Sequence, residues 1–208
     1  MGKAPSGSIP QNVFLYGGIN TCMANYKILN LPHVETIKQK VLPLLPEHAY
    51  SSSWFFQVPE ISQIPELVEA VSMVRPWDQV EKIAVISAMP YCHIVEKNTY
   101  IHVDVMYNQE KAVGLNFPIY NCEDTFCAMY EATRPVYYKE SEYADGSQFH
   151  ATHLMRQSAT EIERFSIPNQ AYLFNHQVPH GVINTTRQSR IVLSVRFSSD
   201  IDIDSFSV

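Results

Sequence analysis

Thirteen prolines run through this 208-residue chain, from Pro5 to Pro179. A proline inside a helix removes a hydrogen-bond donor and clashes with the preceding turn, at a cost of about 3 kcal/mol, so helices here must be few, short and started at a proline. Two segments meet that condition. Residues 32–45 carry Val34, Ile37, Val41 and Leu45 behind Pro32, and residues 64–74 carry Leu67, Val68, Val71 and Val74 behind Pro65. The three-to-four spacing predicts amphipathic helices that cover one face of a sheet.

Most of the remainder has the composition of short strands separated by turn residues. Strands are expected over 12–16, 52–58, 82–88, 99–106, 113–120, 125–132, 161–166, 172–174, 180–183 and 190–197. Asn108-Gln109-Glu110-Lys111, Asn121-Cys122-Glu123-Asp124 and Asn184-Thr185-Thr186 supply turns between them. Residues 138–160 are polar and carry no period, so a long insertion is expected there, a lid beside a site. Many short strands after a helical part predict a mainly β fold with flanking helices, an antiparallel sandwich or jelly roll. The apolar share of 46% against 17% charged residues suits one domain over 11–208 behind a disordered tail, 1–10.

Charge narrows the partners. Fifteen Lys and Arg against 21 Asp and Glu leave a net charge of −6, which argues against gripping a phosphate backbone, so no nucleic-acid partner is expected. No run approaches the roughly 20 apolar residues that span a bilayer, so no membrane partner is expected either. Four cysteines, Cys22, Cys92, Cys122 and Cys127, are too few for a disulfide scaffold and read as reduced thiols in a cytoplasmic protein. Gly2 fits the loose myristoylation pattern, but Pro5 makes a plain tail the simpler reading.

Chemistry concentrates in two places. In Tyr100-Ile101-His102-Val103-Asp104-Val105, strand alternation puts His102 and Asp104 on one face and the aliphatic residues on the other. Their Cα atoms would stand roughly 7 Å apart, so an imidazole and a carboxylate can converge on one cation. Downstream, His180 opens a short strand, and Arg190 follows ten residues later at the start of a β-branched strand. A second imidazole returning beside His102 and Asp104 would complete two imidazoles and one carboxylate on one side of a metal, the facial triad of non-haem iron(II) sites.

The order His-x-Asp, distant His, then Arg resembles the 2-oxoglutarate-dependent iron(II) dioxygenases of the double-stranded β-helix (cupin-like jelly-roll) fold, in particular small oxygenases related to prolyl and aspartyl/asparaginyl hydroxylases. Gly114-Leu115-Asn116-Phe117-Pro118-Ile119-Tyr120 and Asn169-Gln170-Ala171-Tyr172-Leu173-Phe174 resemble the strand after the metal motif and the approach to the distal histidine. The likeness runs from about Ile83 to Phe197. It implies that His102, Asp104 and His180 bind Fe(II), that 2-oxoglutarate chelates the metal, and that Arg190 clamps its far carboxylate with two charge-assisted hydrogen bonds. O2 would take the remaining position. The products would be succinate, CO2 and a hydroxylated amino-acid, peptidyl or small-metabolite substrate.

One departure stands out. Many members carry Arg-x-Ser on the final strand, whereas this chain has Val192 there and Ser194 two residues further. Asn116 and Tyr120, expected on one face of the 113–120 strand, are candidates for the missing carboxylate partner, and Arg187 competes with Arg190 from a turn-like setting. Blander alternatives exist. The His and Asp could satisfy one another in a β-sandwich, or the pocket could belong to a cupin-like, non-catalytic binding or assembly protein. A zinc site drawn from Cys122, Cys127, His150 and His153 has loose spacing. His93 and His176 are spare histidines, the latter expected to be exposed or to stand behind the ligands. Trp54-Phe55-Phe56 reads as core before it reads as a pocket lining. A halogenase is disfavoured by Asp104, which holds the position that such enzymes leave to halide.

Overall fold

The computed structural model describes residues 25–50, 54–91, 101–105, 113–132, 137–142, 148–154 and 159–206; of 54–56, 104–105, 132, 137–142 and 148–154 it describes the backbone. The predicted tail, the strand expected over 12–16, Gly2, Cys22, Cys92 and His93 lie outside the described residues.

Twelve strands and two α-helices are present among the described residues. The chain enters through β1 (Tyr26–Leu29) and passes α1 (Val34–Val41), β2 (Trp54–Phe56) and α2 (Pro65–Ser72). Then come β3 (Val80–Ala88), β4 (Ile101–Val105), β5 (Val113–Tyr120), β6 (Thr125–Ala132), β7 (Tyr137–Glu142) and β8 (Gln148–Leu154). The last four are β9 (Ala159–Phe165), β10 (Ala171–Asn175), β11 (His180–Asn184) and β12 (Arg190–Phe197). The helices are shorter than expected because each runs into 3-10 turns or a bend at its end: Pro43 falls in the 3-10 turn Leu42–Leu44 that follows α1. No helix among the described residues is long and apolar enough to cross a membrane.

The strands form two antiparallel six-stranded sheets, ordered β1-β10-β5-β12-β3-β2 and β7-β8-β4-β11-β6-β9. From β3 to β6, and again from β9 to β12, successive strands fall in alternate sheets. The polar stretch around residues 138–160, expected to lack regular structure, instead contributes the β7–β8 hairpin, which pairs with β4 at the edge of the second sheet. Backbone pairing satisfies these residues without a strong apolar alternation, so the period was weak although the strands are real.

Every residue of β12 is buried. Its odd-numbered side chains, Ile191, Leu193, Val195 and Phe197, join Leu115 and Phe117 of β5, Ile37 and Val41 of α1 and Leu67 and Val71 of α2 in one apolar cluster. Burial of each such side chain is worth about 1.5–3 kcal/mol. This cluster fixes the parity of the first sheet, so that Arg190, Ser194 and Arg196 are left for the opposite, inward face. There Tyr172 and Phe174 of β10 meet Cys127 and Met129 of β6 and Phe165 of β9, which packs the two sheets face to face. On the far side of the second sheet, Ile101 and Val103 of β4 join Ala128, Tyr130 and Ile183. A one-residue slip of β4 would expose Ile101 and Val103, so their burial holds His102 and Asp104 on the inward face.

Candidate active site

β4 and β11 are antiparallel neighbours, and the register places His180 directly opposite His102. Their ring centroids are 4.4 Å apart. His180 Nδ1 lies 2.8 Å from the Val178 carbonyl oxygen. A carbonyl can only accept, so Nδ1 carries the proton and Nε2 presents a lone pair, the arrangement of a histidine prepared to ligate a metal. Asp104 follows two residues along β4, on the face of His102, with Ala151 of β8 as its register partner; its side chain lies outside the described residues. Among the described residues no group of three His, Cys, Asp or Glu side chains gathers, and the described part of the expected triad is the histidine pair.

A third histidine stands close by. His176 is buried, with its ring centroid 5.8 Å from that of His180, and Phe174 packs edge-on to both rings, at 4.7 Å and 4.8 Å. The expectation that His176 could be exposed is therefore corrected. Its Nδ1 lies 3.0 Å from Arg196 Nη2. A guanidinium only donates, so this Nδ1 accepts, and the proton of the neutral ring sits on Nε2, the reverse of His180. Gly114 makes the pairing fit: a Cβ there would come within 2.8 Å of His176 Nε2 and 3.1 Å of Arg196 Cδ.

Arg190 is buried on the same inward face as Arg196 and donates from Nη2 to Tyr172 Oη over 3.1 Å. Burial pushes the Tyr172 phenol up to about 12, against the pull of the Arg190 cation, so the phenol stays protonated at neutral pH. Tyr172 is directly opposite Asn116, which is directly opposite Ser194, so three polar side chains cross β10, β5 and β12 in one inward row. Among the described residues, Asn116 Oδ1 and Ser194 Oγ are buried without a hydrogen-bond partner. Such atoms are costly unless a ligand or water completes them. Arg187, the competitor, is exposed in the bend before β12.

Tyr120 is not brought to this row. The β5–β12 ladder shifts register between Ile191 and Val192, so that Ile191 faces Tyr120 while Val192 faces Pro118. The extra residue resets the alternation, and Tyr120 turns to the helical side, edge-on to Tyr50 at 5.2 Å. The drawn zinc set is also pulled apart: Cys127 lies on β6, two strands beyond β4 from the β8 residues, and His150 and His153, three apart on β8, fall on opposite faces. In β2, Phe55 pairs with Ile86 on the inward face and Trp54 and Phe56 with Ser87 and Val85 on the other, so the aromatic run divides between the two.

Two contributors went unread in the sequence. Tyr172 alternates with Phe174 on an apolar strand, and a phenol buried there needs a partner, which was the available signal. Asn184, fully buried, donates to the Ala88, Met89 and Gln188 carbonyls while its Oδ1 accepts from Thr186 N and Oγ1. That network ties the turn between His180 and Arg190 to the end of β3. Comparison with protein-family models and with curated proteins returned no match.

Proposed function

We propose that this chain is a single-domain double-stranded β-helix oxygenase that uses Fe(II), 2-oxoglutarate and O2 to hydroxylate an amino-acid, peptidyl or small-metabolite substrate. The observation that carries the reading is the pairing of two features across one interior: facing imidazoles on β4 and β11, and a buried guanidinium with its phenol partner on β12 and β10. The alternation of strands between the two sheets supports the β-helix.

The residues fit the implied groups. His102, Asp104 and His180 would hold the iron, with His180 Nε2 freed by its Nδ1 hydrogen bond to Val178. Arg190 and Tyr172 would receive the distal carboxylate of 2-oxoglutarate, and the unpartnered Asn116 Oδ1 and Ser194 Oγ mark a polar floor between them and the histidines. Tyr172 thereby fills the role left open by Val192. An Fe(II) held there would supply the O2 activation that couples decarboxylation of 2-oxoglutarate to succinate and CO2 with hydroxylation of a substrate C–H bond. The protein's part is to orient the co-substrate from a fixed cation, to keep the phenol a neutral donor, and to exclude water with the Phe174, Met129 and Phe165 cluster.

The buried guanidinium favours this over a cupin-like binding protein, since a metal pocket alone gives it no anion to neutralise. The test is a succinate-release screen with Fe(II), 2-oxoglutarate and air against amino acids, peptides and metabolites, with Arg190→Ala as the blank. Stoichiometric succinate from the wild type and none from the variant supports the reading; equal release from both refutes it.

A further inference from the structure

The Arg190 end of the interior holds two nucleophiles that the oxygenase reading leaves unused. Cys122 and Cys127 are the free cysteines among the described residues, and both are buried. Cys122 lies in the turn between β5 and β6, where its thiol reaches the carbonyl oxygens of Tyr120 and Ile191 at 3.4 Å each. Ile191 is the residue next to Arg190, so this sulfur is anchored at the start of β12. Cys127 projects from β6 into the cluster that holds Met129, Phe165, Tyr172 and Phe174.

Both thiols act on the charge of Arg190. Burial works against that cation, and the Tyr172 phenol, the Cys122 thiol and the Cys127 thiol work for it, in that order. Among the described residues no carboxylate meets this guanidinium, whose hydrogen bond goes to the phenol. A buried cation among neutral partners attracts any anion that forms beside it, and charge-assisted hydrogen bonds are about twice as strong as neutral ones. A thiol can become such an anion. Attack of sulfur on a peroxide oxygen breaks the O–O bond and oxidises the sulfur by two electrons to a sulfenic acid, and the thiol proton leaves with the departing hydroxide as water. Beside a guanidinium the S–OH ionises to sulfenate. At Cys122 the new oxygen is repelled by the two carbonyl oxygens that the thiol had faced, since all three only accept, and it turns to the guanidinium. Cys127, set among apolar side chains, is in the surroundings where a thiol is inert.

We propose that Cys122 is an oxidative modification site for hydrogen peroxide, and that its sulfenate occupies Arg190 in place of the distal carboxylate of 2-oxoglutarate. The inference rests on the oxygenase reading, which makes Arg190 the carboxylate clamp, and adds a redox input at that end of the site. Reduction by a small thiol returns the cysteine and frees the guanidinium.

The test treats the metal-free full chain with hydrogen peroxide, so that no iron takes part, and removes the oxidant with catalase. 2-Oxoglutarate is then titrated against the charge-transfer band of the Fe(II)-loaded protein under anaerobic conditions. The treated protein should need about tenfold more 2-oxoglutarate or above, the scale of one charge-assisted hydrogen bond, and dithiothreitol should restore the untreated value. In a parallel sample dimedone, which captures sulfenic acids, should label Cys122 and not Cys127. Cys122→Ala and Cys122→Ser should be indifferent to peroxide, and Cys127→Ala should respond as the wild type does. No label at Cys122, a label there with an unchanged 2-oxoglutarate requirement, or a requirement that rises equally in the Cys122 variants would overturn the proposal. Should neither Cys122 variant fold, labelling and dithiothreitol reversal on the wild-type chain decide it. The band of the untreated protein separates this from the parent reading: a band that is present but indifferent to peroxide sinks only the modification site, and an absent band sinks both.

Discussion

The two strands that carry the candidate site are built differently. β12 has eight residues, all buried, and is paired along its length with β3 on one side and from Ile191 to Val195 with β5 on the other. β4 has five residues, full pairing to the β8 hairpin, and a single register pair to β11, at the histidines themselves. The guanidinium half of the site thus rests on a strand enclosed along its whole length. The imidazole half is joined across a short seam. A cation buried far from water needs a rigid, fully satisfied frame, since any loosening leaves it unpaired. Two imidazoles that a metal draws together do not, because the ligand bonds themselves supply cohesion.

Breaking β12 should therefore cost most. Leu193→Ala removes a fully buried side chain from the centre of the helix-side cluster and should destabilise the fold by about 2–5 kcal/mol, read as the shift in a urea midpoint. Damage at the seam should leave the fold and take the metal. His102→Ala should lower Co(II) affinity by roughly 100-fold or more, beyond what loss of an outer-sphere partner does, with the unfolding midpoint of the metal-free protein nearly unchanged. An equally large loss of stability would mean that the imidazole pair is part of the frame after all.

Gly114→Ala sharpens the comparison, because its added methyl would press on His176 and Arg196 together. Overpacking there should cost about 1–3 kcal/mol and slacken the site from the β5 side. Tyr172→Phe is the smallest change, about 1 kcal/mol for one buried hydrogen bond near neutral pH. Its signature is in alkali. Burial pushes the folded phenol up to about 12 from its ordinary value of 10.0, so the stability linked to Tyr172 should be intact below pH 10 and drain away as pH rises toward 12. Tyr172→Phe should flatten the stability profile across that window. Tyr26 and Tyr50, also raised by burial, leave a residual slope.

Strands with strong alternation were legible residue by residue. β5, β6 and β12 begin and end where the sequence pattern places them, because each carries an apolar face that a cluster buries. β1, β7 and β8 were not legible, since β1 and β7 are edge strands and β8 lies beside one, where backbone pairing holds a strand and tolerates Lys, Glu and Gln. Within the site, alternation put Asn116 in the inward row, where it stands opposite Ser194 and Tyr172. It failed at Tyr120, because a bulge depends on the partner strand and leaves no mark in a single run of residues. Tyr172 as the partner of Arg190 is a contact across β5 between strands 18 residues apart, a matter of sheet order that no local pattern encodes.

The central claim is that His102, Asp104 and His180 on one side, and Arg190 on the other, hold iron and a keto acid in one interior. Its most direct measurement is the visible spectrum of the full chain with Fe(II) and 2-oxoglutarate under anaerobic conditions. The account predicts a metal-to-ligand charge-transfer band that is absent in His102→Ala and His180→Ala and needs far more 2-oxoglutarate in Arg190→Ala. A folded wild-type protein that gives no band, or a band that survives loss of either histidine, would contradict it.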